Sequence, residues 1–149
     1  MNLLLRTLTA ALLTLSLAAC QATAPLASAS PGASSPEALG EQFIAFYDAG
    51  DIDGLMTLYE DGAVFTTRSA VHTGSDDVRA VLQNYLDSGL KLDFHEKVSF
   101  VSGEIALVQN RWTVRGTENG GVTVEVARQQ PDGTWKYVID SPDGEELVR

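Results

Sequence analysis

"SDDVRAVLQNYLDSGLKLDFHEKVSF", Ser75 to Phe100, contains the change of period that decides the fold. In its first half Val78, Val81, Leu82, Tyr85 and Leu86 fall at i, i+3, i+4, i+7 and i+8, the stripe of an amphipathic helix. Ser75 is placed to cap that helix, Asp76 and Asp77 load its positive end, and Gly89 closes it. From Lys91 the apolar residues fall at a period of two, as Leu92, Phe94, Val98 and Phe100, which describes a strand with one face on a core. Helix and strand meet across one short turn, so both belong to one layered unit.

Upstream, "SSPEALGEQFIAFYDAG" predicts a helix capped by Ser34 or Ser35, with Pro36 in its first turn and Gly50 at its end. Leu39, Phe43, Phe46 and Tyr47 form its apolar stripe. "DIDGLMTLYEDG" predicts a second, shorter helix capped by Asp51 with Ile52, Leu55, Met56 and Tyr59 inward, and "AVFTTRSA" has strand character. Downstream, three further runs alternate: 104–115, 121–130 and 134–140, separated by "ENGG" and "PDG". Consecutive strands with short turns predict an antiparallel meander, and the whole is α+β, helices packed on one face of a curved sheet.

The N-terminus gives an address. Asn2, three leucines and Arg6 precede "TLTAALLTLSLAA" and Cys20, the only cysteine. A basic start, a short apolar run and small residues describe an export signal, and the run is shorter than the roughly 20 residues a spanning helix needs. Leu17-Ala18-Ala19-Cys20 resembles the bacterial lipobox, which implies that Cys20 is acylated and becomes the first mature residue. Cleavage after Ala22-Thr23-Ala24 is the alternative, but Pro25 would then follow the cut and the thiol would have no use. Residues 1–19 are thus read as a signal peptide and 20–35 as a disordered Ala/Ser/Pro tether. The folded domain is placed at 36–142 and a tail at 143–149. The setting expected is a bacterial cell envelope, with membrane lipid as partner through acylated Cys20.

Composition narrows the function. Of 149 residues, 44% are hydrophobic and 20% charged, and the formal net charge is −10. Phosphate backbones repel such a chain, so nucleic acid is not an expected partner. One cysteine makes no internal disulfide, and two histidines without cysteine partners make no zinc site, so no metal or cofactor is expected.

"AGDIDGLMTLYEDGAVF", "TGSDDVRAVL", "EIALV" and "ARQQPDGTWKYVIDSP", in that order, resemble the nuclear transport factor 2-like superfamily, closest to its SnoaL-like and ketosteroid isomerase-like small bacterial domains. The resemblance implies a cone, a cystatin-like α+β roll in which a bent sheet wraps three N-terminal helices and leaves a pocket at its open end. It also allows a test of chemistry. Ketosteroid isomerases pair an aspartate base with an oxyanion hole of tyrosine and protonated aspartate. Counting from Ala49-Gly50-Asp51, Phe43 stands where that tyrosine belongs and Thr67 near the base; counting from the "DGTW" turn, Glu125 stands near the second aspartate. A phenyl ring donates no hydrogen bond and threonine is no base at neutral pH, so steroid isomerisation is not expected.

Parity nominates other candidates. Glu96 shares the apolar parity of 91–101, so it is either buried and functional or, the reading favoured, turned to solvent by a bulge or held in a structural ion pair. Asn110 shares a face with Trp112, where it lines a pocket or cross-links backbone. If Glu125 points inward, Val122, Val124 and Val126 face out and offer a homodimer surface; if the valines point inward, Glu125 is a surface charge. Asp140 caps the turn before Pro142 or sits at the pocket mouth, and Trp135 and Tyr137 read as core. The candidate pocket is then Phe43, Tyr47, Thr67, Glu96, Asn110, Trp112, Glu125 and Asp140. The function expected is a tethered module binding a small apolar ligand or a partner, with no demonstrable catalytic set. The alternative is an acid/base enzyme (isomerase, cyclase or dehydratase type) on a small hydrophobic substrate, using Glu96 or Glu125.

Overall fold

In the computed structural model, residues 32–144 are described, so the signal peptide, Cys20 and most of the tether and tail lie outside the described residues. Helix α1 (Pro36–Ala49) starts as expected: the Ser35 hydroxyl accepts from Ala38 N–H and proline occupies the first turn. Gly50 ends it at φ 70°, a left-handed conformation in which its N–H reaches the Phe46 and Tyr47 carbonyls. Helix α2 (Ile52–Thr57) is capped by Asp51, whose carboxylate accepts from Gly54 N–H.

The second helix is shorter than its sequence pattern. The chain leaves it at Leu58, and strand β1 (Tyr59–Thr66) follows at once, because Tyr59 finds a strand partner in Tyr137. A short β2 (Val71–Thr73) returns along β1 and leads into α3 (Ser75–Asp87). Gly74, not Ser75, is the N-cap of α3; the Ser75 hydroxyl instead donates to the Asp61 carbonyl and ties the helix start to β1.

The remaining strands are β3 (Leu92–Ser102), β4 (Ile105–Val114), β5 (Gly120–Val122), β6 (Val124–Gln129) and β7 (Trp135–Ser141). The expected strand over 121–130 is divided at Thr123, with β5 and β6 both pairing with β4. The meander β3-β4-β6-β7 is antiparallel as expected, but β7 lies parallel to β1, so the seven-stranded sheet is mixed, in the order β2-β1-β7-β6-β4-β3. The sheet is curved and unclosed around the helices. Leu39, Phe43 and Tyr47 of α1, Leu55 of α2, and Val78 and Leu82 of α3 pack into its concave face against Phe65, Val108 and Tyr137. Ala33, assigned above to the tether, is fully buried and pairs with Trp135 through two backbone hydrogen bonds, so the folded unit begins before Pro36.

Candidate functional site

The concave face is not filled to its open end. A cavity of about 390 Å³ remains, walled by aromatic rings from helices and sheet alike. Along one wall Tyr47, Phe43 and Phe94 form a ladder of nearly parallel rings, with centroids 5.9 and 6.1 Å apart. Phe65 meets Tyr85 edge-on elsewhere in the lining, and the Trp112 indole also faces the cavity. Trp112 is fixed by its Nε1–H, which donates to the Pro142 carbonyl at 2.8 Å and pins the end of β7 to β4. Arg68, Ser69, Ser88 and Leu90, all exposed, form the mouth.

Two carboxylates lie in the buried part of this apolar lining. Glu125 and Asp140 are direct neighbours across the β6–β7 ladder, 3% and 4% exposed. The Tyr59 hydroxyl donates to Asp140 Oδ2 at 2.5 Å. Glu125 accepts from Asn110 Nδ2 at 3.2 and 3.0 Å, and the Tyr137 hydroxyl acts on the same carboxyl. Asn110 is set in turn by Thr123, whose hydroxyl accepts from the Asn110 backbone N–H at 2.9 Å where β5 gives way to β6. Helix α1 makes room for it: a Cβ on Gly40 would come 3.0 Å from Asn110 Oδ1, which accounts for a glycine inside a helix, where it costs about 1 kcal/mol relative to alanine.

Burial raises both acids, since loss of water penalises the charged form. Glu125 is pushed up to about 8, first by desolvation and then by the Asp140 charge, against the pull of the Thr123 and Asn110 hydrogen bonds. Asp140 is pushed up to about 6 by desolvation, opposed by the Tyr59 hydrogen bond. At neutral pH the pair therefore holds about one proton and titrates as a unit. Tyr59 and Tyr137 are driven well above their ordinary range by burial and the adjacent acids, so both stay neutral donors.

Of the residues expected from sequence, Phe43, Tyr47, Thr67, Trp112, Glu125 and Asp140 line this one cavity. Asn110 stands behind Glu125 and is buried. Asp140 is at neither the turn cap nor the mouth but in the buried part of the lining. Glu96 does not belong to the cavity. The β3 register shifts between Phe94 and Lys97, and this bulge turns Glu96 outward, its side chain 77% exposed and 3.3 Å from Arg111. Sequence reasoning missed Tyr59, read as helical, and the part of Tyr137, read as core alone. A bulge in β7 conceals the second: Tyr137 and Asp140 have opposite parity yet both point inward, because the register shifts between them.

A family model described as a SnoaL-like domain matches residues 41–142. No curated protein matches the chain. Among solved structures, a nuclear transport factor 2-like protein of unknown function from Pseudomonas putida aligns with TM-score 0.59 and 18% identity over 70% of this chain and 80% of its own. A candidate ketosteroid isomerase from Shewanella frigidimarina aligns with TM-score 0.57 and 18% identity over 70% and 90%. A candidate dehydratase of the nuclear transport factor 2-like family from Streptomyces avermitilis aligns with TM-score 0.57 and 20% identity over 71% and 91%. With more than half of its length matched in one stretch and its curved sheet shared by these neighbours, the chain belongs to the SnoaL-like family of nuclear transport factor 2-like domains.

Proposed function

We propose that this domain performs acid/base chemistry, of the isomerase or dehydratase kind, on a small apolar substrate. One observation carries the reading: two buried carboxylates sit side by side within an aromatic cavity. The alternative drawn from sequence names Glu96 or Glu125 as proton carrier; Glu125 lies in the cavity, with Asp140 beside it, and Glu96 does not. Asp140, the stronger acid of the two and ionised at neutral pH, takes a proton from a substrate carbon. Glu125 keeps its proton in the same range and delivers it to a substrate oxygen or leaving hydroxyl. Both act from adjacent strands on the same side of the substrate, so removal and delivery occur on one face. Tyr59 holds the base through its hydroxyl, and Asn110 with Tyr137 holds the acid. The names of the Shewanella and Streptomyces neighbours are consistent with this class.

The test is solvent-deuterium exchange into small ketones with acidic C–H bonds, such as 1-indanone, followed by NMR. Exchange above the buffer rate, with a bell-shaped pH profile and loss in Asp140→Asn and Glu125→Gln, is expected. Ketones that bind but exchange only at the buffer rate would sink the enzyme reading and return the domain to ligand binding alone.

For its setting we propose a lipid anchor at Cys20 in a bacterial envelope, supported by the lipobox resemblance; Cys20→Ser should take up no labelled fatty acid. We also propose a homodimer through the outer sheet face. Phe100, Leu107, Val126 and Ile139 are cross-strand partners in one apolar row, and three of them are 38–64% exposed. The charges beside that row, Arg111, Arg128 and Lys136 against Glu96 and Glu60, nearly balance in an otherwise acidic chain, so two copies can approach. Sedimentation of the parent as a monomer at micromolar concentration would dismiss it.

A further inference from the structure

The charges around the cavity are one-sided. Glu125 of β6 and Asp140 of β7 face its buried part, and the groups that reach them are uncharged: the Asn110 amide and the Thr123, Tyr59 and Tyr137 hydroxyls. Helix α1 contributes Tyr47, α3 contributes Tyr85, and β3 contributes only Leu92 and Phe94 to the lining. Among the described lining residues the one cationic side chain is Arg68, at the mouth and 65% exposed, where it pairs with Asp143. The acids therefore have hydrogen-bond donors but no positive charge beside them. Buried carboxylates are ordinarily paired with a cation or kept neutral by a proton. Here the proton stands in the position a cation would take.

The walls suit such a cation. Aromatic faces attract an ammonium through their quadrupoles, most strongly when water is excluded, and Phe43, Tyr47, Phe65, Tyr85, Phe94 and Trp112 all border the cavity. A chain of net charge −10 also concentrates cations near its surface and repels anions.

We propose that the ligand of this cavity is an apolar organic amine, whose ammonium seats against Glu125 and Asp140 while its hydrocarbon lies among the rings. This rests on the cavity being the functional site, as argued above, and names the class of molecule it takes. Binding is an exchange. An ammonium R–NH₃⁺ enters, the proton shared by the two carboxylates leaves to solvent, and the complex holds one cation against two carboxylates. Affinity then rises with pH until the pair is fully ionised, and falls again only where the amine itself deprotonates. With the amine in place both carboxylates are ionised and Glu125 has no proton to deliver, so an amine occupies the site in competition with a proton-transfer substrate.

The experiment is calorimetric titration of the full chain with three probes of one shape: 1-naphthylmethylamine, 1-naphthylmethanol and 1-naphthoate. The amine should bind about tenfold or more tighter than the alcohol at pH 7, and the carboxylate least. Its heat in phosphate and in Tris buffers should differ by the release of close to one proton, a readout that needs no variant. Glu125→Gln, with one carboxylate and no proton to release, should lose the proton release and most of the preference for the amine. If the alcohol binds as tightly as the amine, if the amine binds without proton release, or if none of the three binds, the inference is wrong. The two readings separate cleanly. Amine binding with proton release but no deuterium exchange into any substrate removes the enzyme reading alone, and alcohol binding without amine preference removes this one alone.

Discussion

Strand β4 carries Asn110 and Arg111 on successive residues, and each engages a glutamate. Asn110 points to the concave face and donates to Glu125; Arg111 points to the convex face and meets Glu96. The same carboxylate chemistry has opposite consequences on the two sides of one sheet. Outside, Glu96 keeps its water and its pairing is a surface contact, typically worth less than about 1 kcal/mol. Inside, Glu125 has lost its water, faces Asp140 across the ladder, and holds its proton up to about 8. Chemistry here depends on which face a residue occupies more than on which residue it is.

The largest effect should fall on activity. Asp140→Asn and Glu125→Gln should each lower proton-transfer rates by about 10²- to 10⁴-fold, while Glu96→Gln leaves them unchanged. Equal losses in all three variants, measured by deuterium exchange, would break the contrast between the faces.

Stability comes next. Phe43 is 8% exposed and stacks on both Tyr47 and Phe94, so Phe43→Ala should cost about 3 kcal/mol or somewhat more in a denaturant titration. Asn110→Ala leaves the Glu125 carboxyl short of a donor within a buried network, and should cost about 1–3 kcal/mol. Its neighbour Arg111→Ala should cost less than about 1 kcal/mol. A reversal of that order would mean that Asn110 is not part of the site's scaffold.

The pH dependence is the most diagnostic effect. Below about pH 4.5 Glu125 is protonated in folded and unfolded chains alike. Between there and about 8 the unfolded chain gives up this proton while the fold retains it, so stability declines across that window and levels off above it. Asp140 adds a decline of the same sign up to about 6. Glu125→Gln removes the first contribution, so its melting temperature should gain on the parent as pH rises from 5 to 9, by several degrees. Glu96→Gln should track the parent throughout. Parallel curves for all three proteins would show that Glu125 is not desolvated.

Much of this was legible in the order of the residues. A period of 3.6 in Val78–Leu86 and of two from Leu92 onward determined helix and strand, because burying one face of either element imposes its own repeat. Ser35, Asp51 and Gly50 marked helix ends by side-chain and backbone chemistry acting over three or four residues. Parity placed Asn110, Trp112 and Val108 on one face, and offered Glu125 as inward on condition that the valine row faced out. Only the tertiary structure decided the rest. That Tyr59 leaves its helix for a parallel pairing with β7 depends on a partner 78 positions away, which no local pattern encodes. The bulges after Phe94 and after Tyr137 each shift parity by one residue, turning Glu96 out of the cavity and Asp140 into it. A register shift follows from how a bent sheet closes over its helices, a property of the packed whole.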